Sequence, residues 1–390
     1  MLYPHYIQMD ESRLANLLEE QFPSLGSMLY LNHAAISPWP RVARDAVSAF
    51  ARENCEQGPL KGGQWLVRET ELRKRLAILM NAGSGDDIAL VQNTSSGICV
   101  VANGVPWQKG DNVVTPENEF VSNQMPWDAL CAQGVEIRRV SLRQAEDPEG
   151  ALLSAVDRKT RVLTVSSVAW EDGFRLDLER LGAGCEGGSC LFFVDAIQQL
   201  GALPIDVSTS RIDALAAGSH KWQMGPEGMA VFYCNARWRE KLCLSQYGWR
   251  MLDQPYRFDR PDGEPSATAR RFEPGSPNTL GQVALCASLA LSQDVGHERV
   301  GRRILGNTDY LLTGLQAMPG VEITSDQAPT RRSGIVSFRP AGGDVASLRR
   351  FLSKQGIYGA VRGRSFRVSP HYYQGPRQLE RLLRAVSEFS

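Results

Sequence analysis

Short apolar runs alternate with helical stretches through the middle of the chain. DIALVQ, DNVVTP, VEIRRVSL, RVLTVSSV, CLFFVDA, IDALAAG and GMAVFYC are each bounded by Gly, Pro, Asn or Asp, the punctuation expected of buried strands. Such alternation predicts a mostly parallel sheet covered by helices on both faces. Before it, Leu14, Leu17 and Leu18 share the face of a short helix that Asp10 caps and Pro23 ends. Leu72, Leu76, Leu79 and Met80 predict a second helix over 66–81. After it, residues 250–277, rich in Asp, Pro, Gly and Arg, read as a long functional loop. An apolar helix over 282–291, the strand-like GIVSFRP and a final helix presenting Leu379, Leu382, Leu383, Val386 and Phe389 on one face complete the chain. The expected fold is α/β. A large domain over 26–277 holds a mostly parallel sheet flanked by helices, a smaller α+β domain spans 278–390, and residues 1–25 pack with the small domain.

Composition narrows the classes. The chain has 390 residues, 43% hydrophobic and 22% charged, the balance of a globular protein with a sizeable core. Lys plus Arg (43) equals Asp plus Glu (43), so no excess positive charge is available for a phosphate backbone or an anionic membrane. No nucleic-acid or membrane partner is expected. The opening MLYPHYIQMDESR shows neither a basic leader nor an apolar run. No stretch approaches the roughly 18 apolar residues of a spanning helix, and a cytoplasmic location is expected. Eight cysteines are scattered along the chain, which reads as reduced thiols rather than a disulfide framework. Cys185 and Cys190 are the nearest pair, but the five His are too dispersed to complete a metal site.

The segments FFVDAIQQLGALPIDV and IDALAAGSHKWQMGPEGMAVFY put an acid, Asp195, at the end of one buried strand and an amine, Lys221, just past the end of the next. Strand carboxyl ends are where an open α/β sheet gathers ligands. Pyridoxal 5'-phosphate (PLP) needs an amine to hold it as a Schiff base and a carboxylate beside its pyridine nitrogen, and these two residues can supply both. Taken singly, the aspartate reads equally as a turn residue and the lysine as a surface charge. In DIALVQNTSSGICVVANGV a strand meets a Thr-Ser-Ser-Gly turn and an apolar helix. Thr94 and Ser95 there suit a phosphate cradle, or else plain N-capping. Gly182, Gly184 and Gly187 spell GxGxxG, but after helical DLERL and before a strand, which is the wrong context for a dinucleotide fingerprint. They read as a loop.

Taken together, YLNHAAISPWP, QNTSSGI, EFVSNQMPW, VDAIQQLGALPIDV, GSHKWQMGPEG, RRFEPGSPNTLG and RVSPHYY resemble the class V aminotransferase and cysteine desulfurase superfamily, which are PLP enzymes of fold type I. The resemblance runs over nearly the whole chain. It implies that Lys221 is the Schiff-base lysine, Asp195 the partner of the ring nitrogen and Gln198 the donor to the ring oxygen. Phe120 stands where the family places a stacking ring, often histidine; phenylalanine can stack but not move a proton. Ser95 and His220 resemble phosphate ligands, with Ser219 one residue from the usual serine position, which here is Gly218. Ser276 resembles the hydroxyl that reaches the phosphate of a neighbouring subunit, implying a homodimer with a shared active site. Arg367 matches the arginine that grips the substrate carboxylate. Arg362 and Arg364 lie close by in sequence and suit an anionic substrate, and Asn32 and His33 are expected near the substrate.

Two departures stand out. Ser167 replaces a common asparagine beside the cofactor oxygen, and no cysteine follows Cys286, where a desulfurase carries its nucleophile. The expected activity is therefore PLP-dependent chemistry at an amino acid's α carbon, with transamination preferred. The alternatives are C–S or C–Se elimination, epimerisation and, in a different class, a non-catalytic PLP-binding regulatory module.

Overall fold

The computed structural model describes residues 10–23, 28–143, 145–259 and 263–389. The opening nine residues, on which the absence of a leader was expected, and residues 260–262 of the expected loop lie outside the described residues.

Helix α1 (Glu11–Gln21) begins at Asp10, whose carboxylate accepts the Arg13 N–H, and buries Leu14 and Leu18. The chain continues through β1 (Leu29–Tyr30), α2 (Arg41–Gln57) and α3 (Gly62–Leu79), then β2 (Ile88–Val91), α4 (Thr94–Gly104), β3 (Asn112–Pro116), α5 (Met125–Asp128) and β4 (Glu136–Val140). It goes on through α6 (Pro148–Ser154), β5 (Thr160–Ser166), α7 (Leu178–Cys185), β6 (Leu191–Asp195), β7 (Ala214–Gly218), β8 (Ala230–Cys234) and α8 (Ala236–Arg239). The last part holds α9 (Thr279–Val295), α10 (His297–Gln316), β9 (Val321–Ile323), β10 (Val336–Pro340), α11 (Val345–Lys354), β11 (Ile357–Tyr358), β12 (Ala360–Arg362), β13 (Ser365–Val368) and α12 (Pro376–Phe389).

All seven predicted strands form one sheet in the order β2-β8-β7-β6-β5-β3-β4. It is parallel except for β8, which runs against both neighbours. The reversal has a local cause, because the turn between β7 and β8 is too short to hold a crossover helix. Strands β3, β6, β7 and β8 are buried at every position, as layers of helix on both faces require. Helix α4 presses so closely on β7 that a Cβ at Gly97 would lie 2.6 Å from that of Ala216. Gly182 and Gly184 sit inside α7 rather than in the expected loop, and a Cβ at Gly182 would meet the Ser210 carbonyl oxygen at 1.9 Å. Close helix packing accounts for that glycine.

The small domain packs its helices on an antiparallel sheet of order β12-β13-β10-β9. Two elements cross the expected boundaries. Strand β1 pairs in parallel with β11 of the small domain, and α9 packs on α2 and α3 of the large one. Helix α1 adds Leu14, Leu18 and Phe22 to a cluster containing Trp222, Ile304 and Tyr372, at the junction of the two. Among the described residues no helix is long and apolar enough to cross a membrane, and no three His, Cys, Asp or Glu side chains converge on a metal-sized site.

The 250–277 segment is anchored at both ends by buried charge. Arg250 and Arg73 face Glu69 and Glu273, with Arg73 2.7 Å from each acid and Arg250 bonded to Glu69. Glu273 also accepts the Leu90 N–H at 2.7 Å, which fixes the segment to β2. Removing one cation from such a buried set strands an acid without its counter-charge. Arg250→Ala is expected to cost about 3–5 kcal/mol, read as a lower urea midpoint for unfolding at an unchanged slope; a loss under about 1 kcal/mol would mean that the network is no anchor.

Candidate active site

The ends of β5, β6 and β7 and the start of α4 meet at one crevice. Asp195 closes β6, is 2% exposed, and spends one carboxylate oxygen on the Ile197 N–H at 3.0 Å. Burial pushes its pKa up to about 6, opposed by that N–H and by the charge of Lys221. Lys221 follows β7 in a tight turn in which Met224 N–H donates to the Lys221 carbonyl and Met224 takes a left-handed φ of 53°. Burial draws the lysine down to about 8; Asp195 opposes this, while Arg367 and Arg362 add to it. Its Nζ lies 5.9 Å from the centroid of the Phe120 ring, which is 43% exposed.

The α4 N-terminus faces the same crevice. Its cap is Asn93, which accepts the Ser96 N–H, not the threonine or serine considered from sequence. Thr94 accepts the Gly218 N–H through its hydroxyl at 2.9 Å, tying α4 to the end of β7. Ser95 donates to Ser122 at 3.0 Å. His220, half-buried beside Lys221, has its pKa lowered by burial and then by the lysine's charge.

Arg367 comes from the small domain. It is 1% exposed and donates Nη1 to the Trp170 carbonyl, while Nε and Nη2 have no partner among the described residues. Burial and then the charge of Arg362 lower its pKa to about 9. A buried guanidinium with unmatched N–H groups is costly unless an anion meets it. Arg362, on β12, is half-buried near this pair, whereas Arg364 is exposed.

Other expected residues are placed differently. His33 is fully buried, with Nδ1 2.6 Å from the Ser369 carbonyl oxygen and Nε2 2.5 Å from the Tyr373 hydroxyl. Enclosed by aromatic rings, it joins the turn after β1 to the segment after β13. Asn32 beside it keeps a buried side-chain oxygen without a partner among the described residues. Ser219 is buried and donates its hydroxyl to the Pro226 carbonyl at 2.7 Å. Ser167 is buried, with its hydroxyl 3.4 Å from the Asp195 carbonyl oxygen. Gln198 gives one N–H to the Ala34 carbonyl and accepts from the Trp222 indole, leaving its second amide proton for another acceptor. Ser276 is exposed on the segment beyond Glu273.

Sequence reasoning missed Glu119, Ser122 and Trp170. Trp170 bridges the halves of the site, with its ring 5.8 Å from Phe120, its indole N–H on the Asn118 carbonyl and its own carbonyl on Arg367. No spacing marks it, because the contact forms only when the turn after β5 meets the small domain.

These donors fit pyridoxal phosphate: free amides at the N-terminus of α4 with Ser95 for the phosphate, a flat exposed ring for stacking, Lys221 for the aldehyde and Asp195 with an uncommitted oxygen for the ring nitrogen.

Comparison with known proteins agrees. A probable cysteine desulfurase of Methanothermobacter thermautotrophicus is 29% identical over 399 residues, spanning 96% of this chain and 97% of its own. A cysteine desulfurase of Klebsiella pneumoniae subsp. pneumoniae is 28% identical over 346 residues, spanning 85% of this chain and 82% of its own. The solved complex of the cystine C–S lyase C-DES with its reaction product cysteine persulfide superposes with a TM-score of 0.86 at 27% identity, covering 94% of this chain and 99% of that one. The Aminotransferase class-V family model matches residues 29–369, and the chain belongs to that family.

Proposed function

We propose that the chain is a PLP-dependent enzyme acting at the α carbon of an amino acid, and that it breaks a carbon–sulfur bond at the adjacent β carbon. The observation that carries the reading is the buried trio of Asp195, Lys221 and Arg367, an acid, a depressed amine and an unmatched guanidinium around one crevice. Elimination is favoured over the transamination preferred from sequence because two of the compared relatives are named desulfurases and C-DES is named a C–S lyase. The last cysteine in the sequence is Cys286, on α9 where it packs on α2 and α3, so no thiol from the segments after α9 is available to take up the sulfur. The sulfur therefore leaves as a small-molecule thiolate or persulfide.

When bound, pyridoxal phosphate withdraws electrons from the substrate's α carbon. Asp195 would hold the ring nitrogen of the bound group and favour its protonated form. Arg367 holds the α-carboxylate through two parallel N–H groups. Lys221, which would hold the cofactor's aldehyde, has its proton affinity lowered by burial and as a free amine would remove the α proton. The released electron pair forms the Cα–Cβ double bond as the Cβ–S bond breaks and sulfur carries its bonding pair away. Phe120 stacks and moves no proton, which leaves Lys221 as the base. Ser276, exposed and without a partner among the described residues, suits a role at the phosphate of a second subunit in a homodimer.

Borohydride reduction followed by peptide mass analysis is expected to leave a phosphopyridoxyl group on Lys221, and Lys221→Ala to end turnover in a folded protein. With cysteine the expected products are pyruvate, ammonia and sulfide, and with cystine they are pyruvate, ammonia and cysteine persulfide. Conversion of the cofactor to its amine form, with a keto acid as the product, would establish transamination instead. Arg367→Ala is expected to raise KM about 10- to 100-fold for every carboxylate substrate; an unchanged KM removes the arginine from that role. Asp195 has to be ionised to pair with the ring nitrogen. Since burial raises it to about 6, kcat/KM should fall as pH drops through 6 and below, the opposite charge of the ring carrying the fall to the acid side. A profile flat from pH 5 to 8 contradicts this.

A further inference from the structure

Glu119 takes no part in the steps above, yet it is only 6% exposed and lies at the seam between the Phe120 loop and the ends of β5 and β6. One carboxylate oxygen accepts the Ser166 backbone N–H at 2.5 Å and the other accepts the Ser166 hydroxyl. Ser166 ends β5 and stands in register with Asp195 at the end of β6. The next residue, Ser167, donates its N–H to the Asp195 carbonyl. On the loop side, the Gln124 amide donates to the Glu119 carbonyl at 2.5 Å. Asn123 accepts from Thr164 of β5 and from Trp127 through its side-chain oxygen, while its buried amide nitrogen has no hydrogen-bond partner among the described residues.

The groups that face the Glu119 carboxyl are thus Ser166 from β5, Asn123 from its own loop and Asp195 from β6, the last with Lys221 beyond it. Among the described residues no cation pairs with it. Burial pushes its pKa up to about 7; the Ser166 bonds oppose this and the charge of Asp195 adds to it.

We propose that Glu119 is a positioning residue: its carboxyl fastens the loop bearing Phe120 to the strand ends bearing Asp195, and its ionisation sets the field that Asp195 and Lys221 feel. The inference rests on the PLP reading given above. Two effects follow. The hydrogen bonds hold the stacking ring at a fixed height over the crevice. As pH rises through neutrality, a second negative charge appears behind Asp195 and favours the protonated forms of the ring nitrogen and of the Lys221 linkage.

The test compares Glu119→Gln and Glu119→Ala with the unaltered holoenzyme, following cofactor affinity and the pH titration of the bound cofactor's absorbance. Glutamine can still accept the Ser166 N–H and donate to its hydroxyl but never ionises. It should keep the cofactor Kd within about threefold while the absorbance midpoint falls by about half a pH unit. Alanine loses both bonds and should weaken cofactor binding about tenfold. An unchanged midpoint in Glu119→Gln overturns the inference, whether or not Glu119→Ala folds. If the unaltered chain takes up no cofactor, the PLP reading falls and this inference with it; cofactor uptake with an unmoved glutamine midpoint sinks this inference alone.

Discussion

The site depends on holding an acid and an amine out of water at the ends of neighbouring strands. Asp195 and Lys221 each favour the other's charge, and burial disfavours both. The outcome is an aspartate that keeps its proton to higher pH and a lysine that gives one up more readily, and a cationic ring nitrogen beside the aspartate would draw it back to its ionised form. The fold that enforces this is a sheet buried on both faces, where the only place for a polar side chain is a strand end. Helix α4, drawn onto β7 at Gly97, brings its free amides to the same edge.

The unmatched guanidinium comes from the other domain. Arg367 lies on β13, paired across to β10, and it meets the large domain through the carbonyl of Trp170. The turn that carries Trp170 is stitched to the small-domain sheet by Ser325 and Ser337, whose hydroxyls donate to the Asp172 and Glu171 carbonyls. Gly173, with φ of 81°, lies against Ser333 and Ile335 so closely that a Cβ would come within 2.7 Å of both. The distance between the guanidinium and Lys221 is therefore a property of the domain junction, and the buried cluster of His33, Trp222, His371, Tyr372 and Tyr373 stiffens that junction from behind.

Legibility in the sequence followed the range of each interaction. Strands β6, β7 and β8 were readable because burial on both faces writes a near-continuous apolar run, β4 by its bounding turn residues despite its exposure, and α12 because one buried face writes a helical period. Lys221 and Asp195 were readable because each falls at the end of such a run. His33 was not, since whether its ring nitrogens meet a substrate or the groups of Ser369 and Tyr373 depends on residues more than 330 positions away. The hydroxyl of Ser219 could not be placed from sequence either, because its acceptor is the Pro226 carbonyl in the turn that follows β7.

What the sequence determined by itself was the order of strands and helices, the balance of charge and the motifs that join this chain to its family, because these depend on neighbours a few residues apart. Only the tertiary structure decided which polar side chains face the crevice, how far the proton affinities of Asp195, Glu119 and Lys221 move, and that Arg367 is left with unmatched N–H groups. Each of those depends on desolvation and on partners brought in by distant segments, and a side chain's exposure to water exists only once the chain has packed.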